Sequence, residues 1–188
     1  FTEASTSKIG SISTSGSIKE YSLSYDSQPE GITVGPDGNL WFTEQINNKI
    51  GSITPSGTLK EYSIPTFNSN PLNIVLGSDG NLWFTENSAN KIGSITPSGN
   101  ITEYRIPTAN SEPDGITVSP DGNLWFTEAY GNKIGSLYLQ QVCHENNRGM
   151  EICYNVARFH EYPIPTAGGM PVSIAQGSDG NLWFTEWY

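Results

Sequence analysis

The chain has 188 residues, of which 9 are Lys or Arg and 19 are Asp or Glu, giving a formal net charge of −10. This balance excludes a nucleic-acid partner, which needs a basic footprint, and docking on an anionic membrane surface. No apolar run approaches the roughly 18 residues of a membrane-spanning helix, so no membrane span is expected.

The chain opens on Phe1-Thr2-Glu3, the tail of a motif that returns complete four times. It reads GPDGNLWFTE around Trp41, GSDGNLWFTE around Trp83, SPDGNLWFTE around Trp125 and GSDGNLWFTE around Trp183. The first three tryptophans are spaced by 42 positions and the last interval is 58. Lys8, Lys49, Lys91 and Lys133 open KIGS in the same phase. Close self-similarity at this period marks an array of one supersecondary unit.

In the repeat that starts at Gly31, GITV is a first strand and Asp37-Gly38 a hairpin turn. LWFT follows as a strand rich in aromatic and β-branched residues. Gln45 to Asn48 turns, KIGSIT is a third strand, Pro55-Ser56-Gly57 turns again, and TLKEYSI is a fourth strand ended by Pro65. Four short strands in about 42 residues is a propeller blade, preferred over a β-solenoid, whose coils are shorter. The 20 Gly and 12 Pro leave no window for a stable helix. The fold class is therefore all-β, a β-propeller of four-stranded blades with about four and a half repeats. The chain reads as one domain, 1–188, with repeats at about 1–30, 31–71, 72–113, 114–171 and 172–188. Both ends fall in the same strand, so the chain reads as an excerpt of a longer array or a piece that pairs end to end with its copies. Trp41, Trp83, Trp125 and Trp183 are expected to pack between blades.

The long interval holds an insertion at about 138–159, expected to lengthen two strands into a hairpin. Cys143 and Cys153 sit ten positions apart inside it and are expected to form a cross-strand disulfide. That places the protein outside the cytoplasm, secreted or at the cell surface. The sequon Asn100-Ile101-Thr102 is compatible with secretion. A zinc or copper site from Cys143, His144, Cys153 and His160 is the alternative, although its spacing fits no standard zinc pattern. As the largest departure from the repeat, the insertion is also the candidate partner surface, through His144, Arg148, Tyr154 and His160. The partner would be another copy or a different extracellular protein, and a small-molecule ligand is a further option.

Catalytic or metal chemistry belongs where inner strands begin and second strands end. The residue after the inner-strand proline is Glu30, Leu72, Asp114 or Val172. The acid closing WFTE is Glu44, Glu86, Glu128 or Glu186, with Glu3 from the opening FTE. Glu44, Glu86 and Glu128 are the candidate oxygen ligands for Mg²⁺ or Ca²⁺. The competing reading pairs each acid with the lysine five positions on, Glu44 with Lys49, as cross-strand ion pairs. Glu30 and Asp114, the insertion, and the terminal Trp187 and Tyr188 are what breaks the symmetry. The only histidines are His144 and His160, so no Ser-His-Asp or Cys-His set can be assembled.

DGNLWFTE, NKIGSIT, the Ser-Gly turn and ITEY-IPT together resemble the repeat of the streptogramin (virginiamycin) B lyases. They match it better than NHL or gluconolactonase-type propellers, which share only the PxGI and DGN elements. The resemblance implies a seven-bladed propeller and a Mg²⁺-dependent elimination that opens a cyclic depsipeptide. The family's catalytic histidine sits in an E-P-H-G element. Here the matching elements are Gln28-Pro29-Glu30-Gly31, Asn70-Pro71-Leu72-Asn73, Glu112-Pro113-Asp114-Gly115 and Met170-Pro171-Val172-Ser173. By resemblance Glu112, Asp114 and Glu128 are the candidate catalytic residues, with Asp114 standing where the histidine would be. The expectation is a non-catalytic binding or assembly module with no certain cofactor, the alternative a Mg²⁺-dependent lyase.

Overall fold

A computed structural model describes residues 1–187, and Tyr188 lies outside the described residues. The first sheet holds β1 (Thr2–Glu3), β2 (Lys8–Ile12) and β3 (Ile18–Ser22). The second holds β4 (Pro29–Val34), β5 (Leu40–Glu44), β6 (Lys49–Ile53) and β7 (Leu59–Ser63). The third holds β8 (Pro71–Leu76), β9 (Leu82–Glu86), β10 (Lys91–Ile95) and β11 (Ile101–Arg105). The fourth holds β12 (Pro113–Val118), β13 (Leu124–Glu128), β14 (Lys133–Glu145) and β15 (Glu151–Pro163). The last is β16 (Pro171–Gln176) paired with β17 (Leu182–Glu186). All pairings are antiparallel between consecutive strands, and the inner strands β4, β8, β12 and β16 lie side by side in that order. Helix is confined to a 3-10 turn at Ala4–Thr6 among the described residues. This is the expected all-β propeller architecture.

The repeated decapeptide is a self-contained turn device. Asp37 Oδ1 accepts the Asn39 N–H at 3.1 Å and the Trp41 indole N–H at 3.1 Å, while Oδ2 accepts the Asn39 amide at 2.7 Å. The aspartate thus closes the turn and fixes the tryptophan. Asp79 does the same for Asn81 and Trp83. Where Ser119 replaces the glycine of the other turns, Trp125 donates to its Oγ instead, at 3.0 Å.

Trp41 and Trp83 fill the space between blades, as expected, whereas Trp183 does not. Trp41 packs with Ile74, Leu82, Phe84 and Ile95 of the following blade and stacks on Tyr62 of its own at 5.5 Å. Trp83 meets Ile116, Leu124, Phe126 and Leu137 in the same way. Trp125 is half-buried, and Trp183 is 64% exposed. The phenylalanine of WFTE explains the glycine of KIGS: a Cβ on Gly93 would come within 2.2 Å of the Phe84 ring.

Polar groups stitch the blades where the packing ends. Thr43 accepts the Gly31 N–H at 3.0 Å and donates to the Leu72 carbonyl at 2.7 Å, joining two inner strands. Thr85 reaches Asp114, and Thr127 reaches Val172, each at 2.8 Å. Asn48 donates to the Thr66 carbonyl at 2.9 Å and accepts the N–H and hydroxyl of Ser69, both at 2.7 Å. Asn90 clamps Thr108 and Ser111 identically.

Candidate functional site

Strand register defines two opposite ends of each blade. Pro113 pairs with Glu128 and Glu128 with Lys133, so the E-P-x-G elements and the WFTE acids share one end. Leu124 pairs with Val118 and with Leu137, so the Asp-Gly turns and the start of the long hairpin share the other. Any ligand site among the inner-strand starts is thereby separated from the hairpin by the length of a strand.

At the inner-strand end, Asp114 is the acid best placed to meet a ligand. Its carboxylate accepts the Asn73 amide at 2.9 Å, and its carbonyl accepts Asn73 at 3.2 Å. Burial raises its pKa, the Asn73 donor opposes that, and the Glu30 charge adds to it. Glu30 is exposed, while Leu72 and Val172 occupy the equivalent rim positions without a polar group. Glu112 is held by its backbone: φ is +49°, and Gln28, Asn70 and Met170 share the same left-handed conformation. Its carbonyl accepts the Ala129 N–H at 3.3 Å, as that of Asn70 accepts Asn87 at 3.1 Å. The side chain at this position is free to vary, and in this chain it does.

The WFTE acids behave differently from both sequence readings. Glu44, Glu86 and Glu128 are all 0% exposed, and none of their carboxylate oxygens meets a hydrogen-bond partner. They do not come together as metal ligands. Among the described residues the only grouping of three potential ligand atoms within 4.8 Å is Cys143, Glu151 and Cys153. The physical reason is the repeat itself, which puts one acid in the interior of each blade. Nor are they ion-paired. Lys49 stands opposite Glu44 in register, yet its Nζ binds Glu61 of the outer strand at 2.5 Å. Lys91 binds Glu103 at 3.3 Å and Lys133 binds Glu161 at 2.9 Å. These partners keep part of their hydration, whereas pairing with the sealed acid would draw the ammonium out of water. Burial first, and the neighbouring Glu61, Glu103 or Glu161 second, push the carboxyls of Glu44 and Glu128 up to about 7 and that of Glu86 to about 8. Of the candidate catalytic trio, Glu128 is sealed while Asp114 and Glu112 border solvent. The end repeats lack the seal: Glu3 accepts Thr6 at 2.9 Å and Glu186 is exposed.

At the opposite end, β14 and β15 form a hairpin with 13 residues in each strand. Cys143 and Cys153 are direct cross-strand partners joined by a disulfide, as expected. This closes the zinc or copper alternative, because both sulfurs are spent on each other and the histidines are elsewhere. His160 stacks edge-on against Tyr138 at 5.9 Å and His144 against Tyr154 at 5.7 Å, on the face away from the disulfide. Arg148 lies in the tip turn, where its N–H donates to Asn146 Oδ1 at 2.9 Å. Tyr138 and Arg158 join the histidine face, and sequence reasoning missed both. The cysteine pairing would have found them, because it fixes the register of every other pair.

The family model described as the virginiamycin B lyase family matches residues 1–188. Virginiamycin B lyase from Staphylococcus aureus is similar at 48% identity and a TM-score of 0.87, over 100% of this chain and 59% of that one. A catalytically inactive histidine-to-alanine variant of that enzyme, solved with quinupristin, gives the same values. A streptogramin B lyase structure is similar at 44% identity and a TM-score of 0.86, over 100% of this chain and 58% of that one. This chain therefore spans a little under three fifths of the length of these proteins. No curated protein matches it.

Proposed function

The chain belongs to the virginiamycin B lyase family, and from that premise we propose that it is an extracytoplasmic propeller that binds a cyclic depsipeptide of the streptogramin B class without opening it. Binding would take place at the inner-strand end. One observation carries the reading: the four elements that align with E-P-H-G present Glu30, Leu72, Asp114 and Val172 in the histidine's place. General acid–base work needs a group within reach of the proton it moves, and the acid that stands in the histidine's place, Asp114, is already engaged by Asn73. As ligands for the Mg²⁺ that the family implies, the WFTE acids do not fit. A hard cation takes several oxygen ligands at about 2.0–2.1 Å, and Glu44, Glu86 and Glu128 each sit alone inside a different blade. The disulfide supports an oxidising compartment.

A Mg²⁺-dependent lyase is the second reading, favoured by the 44–48% identity to two lyases. Calorimetry with quinupristin, followed by chromatography after incubation with Mg²⁺, separates the two. Saturable binding with intact ligand supports a binding module. A ring-opened, unsaturated product formed without uptake of water supports the lyase.

A further inference from the structure

Independently of the depsipeptide reading, the hairpin has the attributes of a docking surface. β15 runs for 13 residues, against five in each of the other outer strands β3, β7 and β11. It is the last strand of its sheet, so its outer edge is open. β7 (LKEYS) and β11 (ITEYR) carry charges that discourage strand addition, whereas β15 has none from Ile152 to Ala157. Register sorts the side chains by chemistry. Tyr138 faces Arg158, Val142 faces Tyr154 and His144 faces Ile152, and His160 lies on the same side. Glu145 and Glu151 share the other face with the disulfide. A chain of net charge −10 thus displays one exposed face with the Arg158 guanidinium, two imidazoles, aromatics and no carboxylate.

We propose that this face docks an extended acidic polypeptide segment, which adds as a strand along the open edge of β15 and sets its carboxylates against Arg158, His144 and His160. Strand addition satisfies the unpaired backbone groups of the edge. Arg158 spends its Nε on Gln140 at 2.8 Å, which orients the remaining guanidinium N–H groups for a carboxylate. Tyr154, 51% exposed, and Tyr138 supply contact area with few side-chain torsions to freeze.

The test is fluorescence anisotropy of a labelled poly-L-glutamate against the full chain, repeated with polygalacturonate. Saturable binding is expected, weakening with salt and falling about tenfold in Arg158→Glu. Binding should vanish when Tyr138–Arg158 is replaced by the short turn Thr96–Asn100 of the preceding blade. Arg158 is exposed, so the variant should keep the native fluorescence of the buried Trp41 and Trp83, which serves as the folding control. No saturable binding, or equal binding by Arg158→Glu, overturns the proposal. Polygalacturonate binding as tightly as poly-L-glutamate also overturns it, because the surface would then take an acidic glycan.

Discussion

The interior of the blades and the long hairpin show opposite uses of polar residues. Inside the blades most polar groups recur and are committed, the sealed glutamates apart: Asp37 and Asp79 to turns, Thr43 and Thr85 to neighbouring inner strands, Asn48 and Asn90 to linkers. On the hairpin, His144 and Tyr154 have no counterpart in other blades, His160 stands where the other blades have Lys19, Lys60 and Thr102, and all three are exposed. What recurs in each repeat builds the blade, and what occurs once is free to meet something else.

The contrast is broken most forcefully at the inter-blade tryptophans. Trp83→Ala should destabilise the fold by about 3–5 kcal/mol, while Trp183→Ala stays within about 0.5 kcal/mol. Denaturant melts of both variants check this, and equal losses would refute the packing assigned to Trp83.

A smaller effect comes from the sealed acids. The folded-state pKa of Glu86, raised to about 8 from the ordinary 4.5, means the folded chain holds its proton more tightly than the unfolded one. Its contribution is fully present below pH 4.5 and is lost as pH rises to about 8, with Glu44 and Glu128 following to about 7. Glu86→Gln should remove its share of that loss, on the order of 2–3 kcal/mol between pH 5 and pH 7. Melts at the two pH values decide it, and an unchanged pH dependence would mean that Glu86 is paired or hydrated.

Next in size, replacing Cys143 and Cys153 by Ser should loosen the hairpin but shift global unfolding by less than about 1 kcal/mol. Faster hydrogen exchange between Gln140 and Val156, with the blades unchanged, is the expected readout. The smallest effect is at the surface pair: Glu61→Ala should cost about 0.2–1 kcal/mol, because Lys49 remains hydrated.

Much of this was legible in the chain. Asp-Gly turns, the WFTE strand and the Cys143–Cys153 spacing specified the blade, the hairpin and its staple through local chemistry. The Glu44–Lys49 pairing was misjudged because register alone places them opposite each other, whereas desolvation decides that Lys49 goes to Glu61. The division of the hairpin into an acidic and a carboxylate-free face was missed because it follows only once the disulfide fixes the register. The burial of Glu128 depends on strands from the rest of its blade, which no local motif reports.

The measurement that tests the separation of the two ends most directly is quinupristin affinity in the chain whose hairpin is replaced by the turn Thr96–Asn100. Affinity within about twofold of the parent is expected, because the inner-strand starts and the hairpin lie at opposite ends of the blade. Loss of binding in that variant, or no binding by either chain, would contradict it.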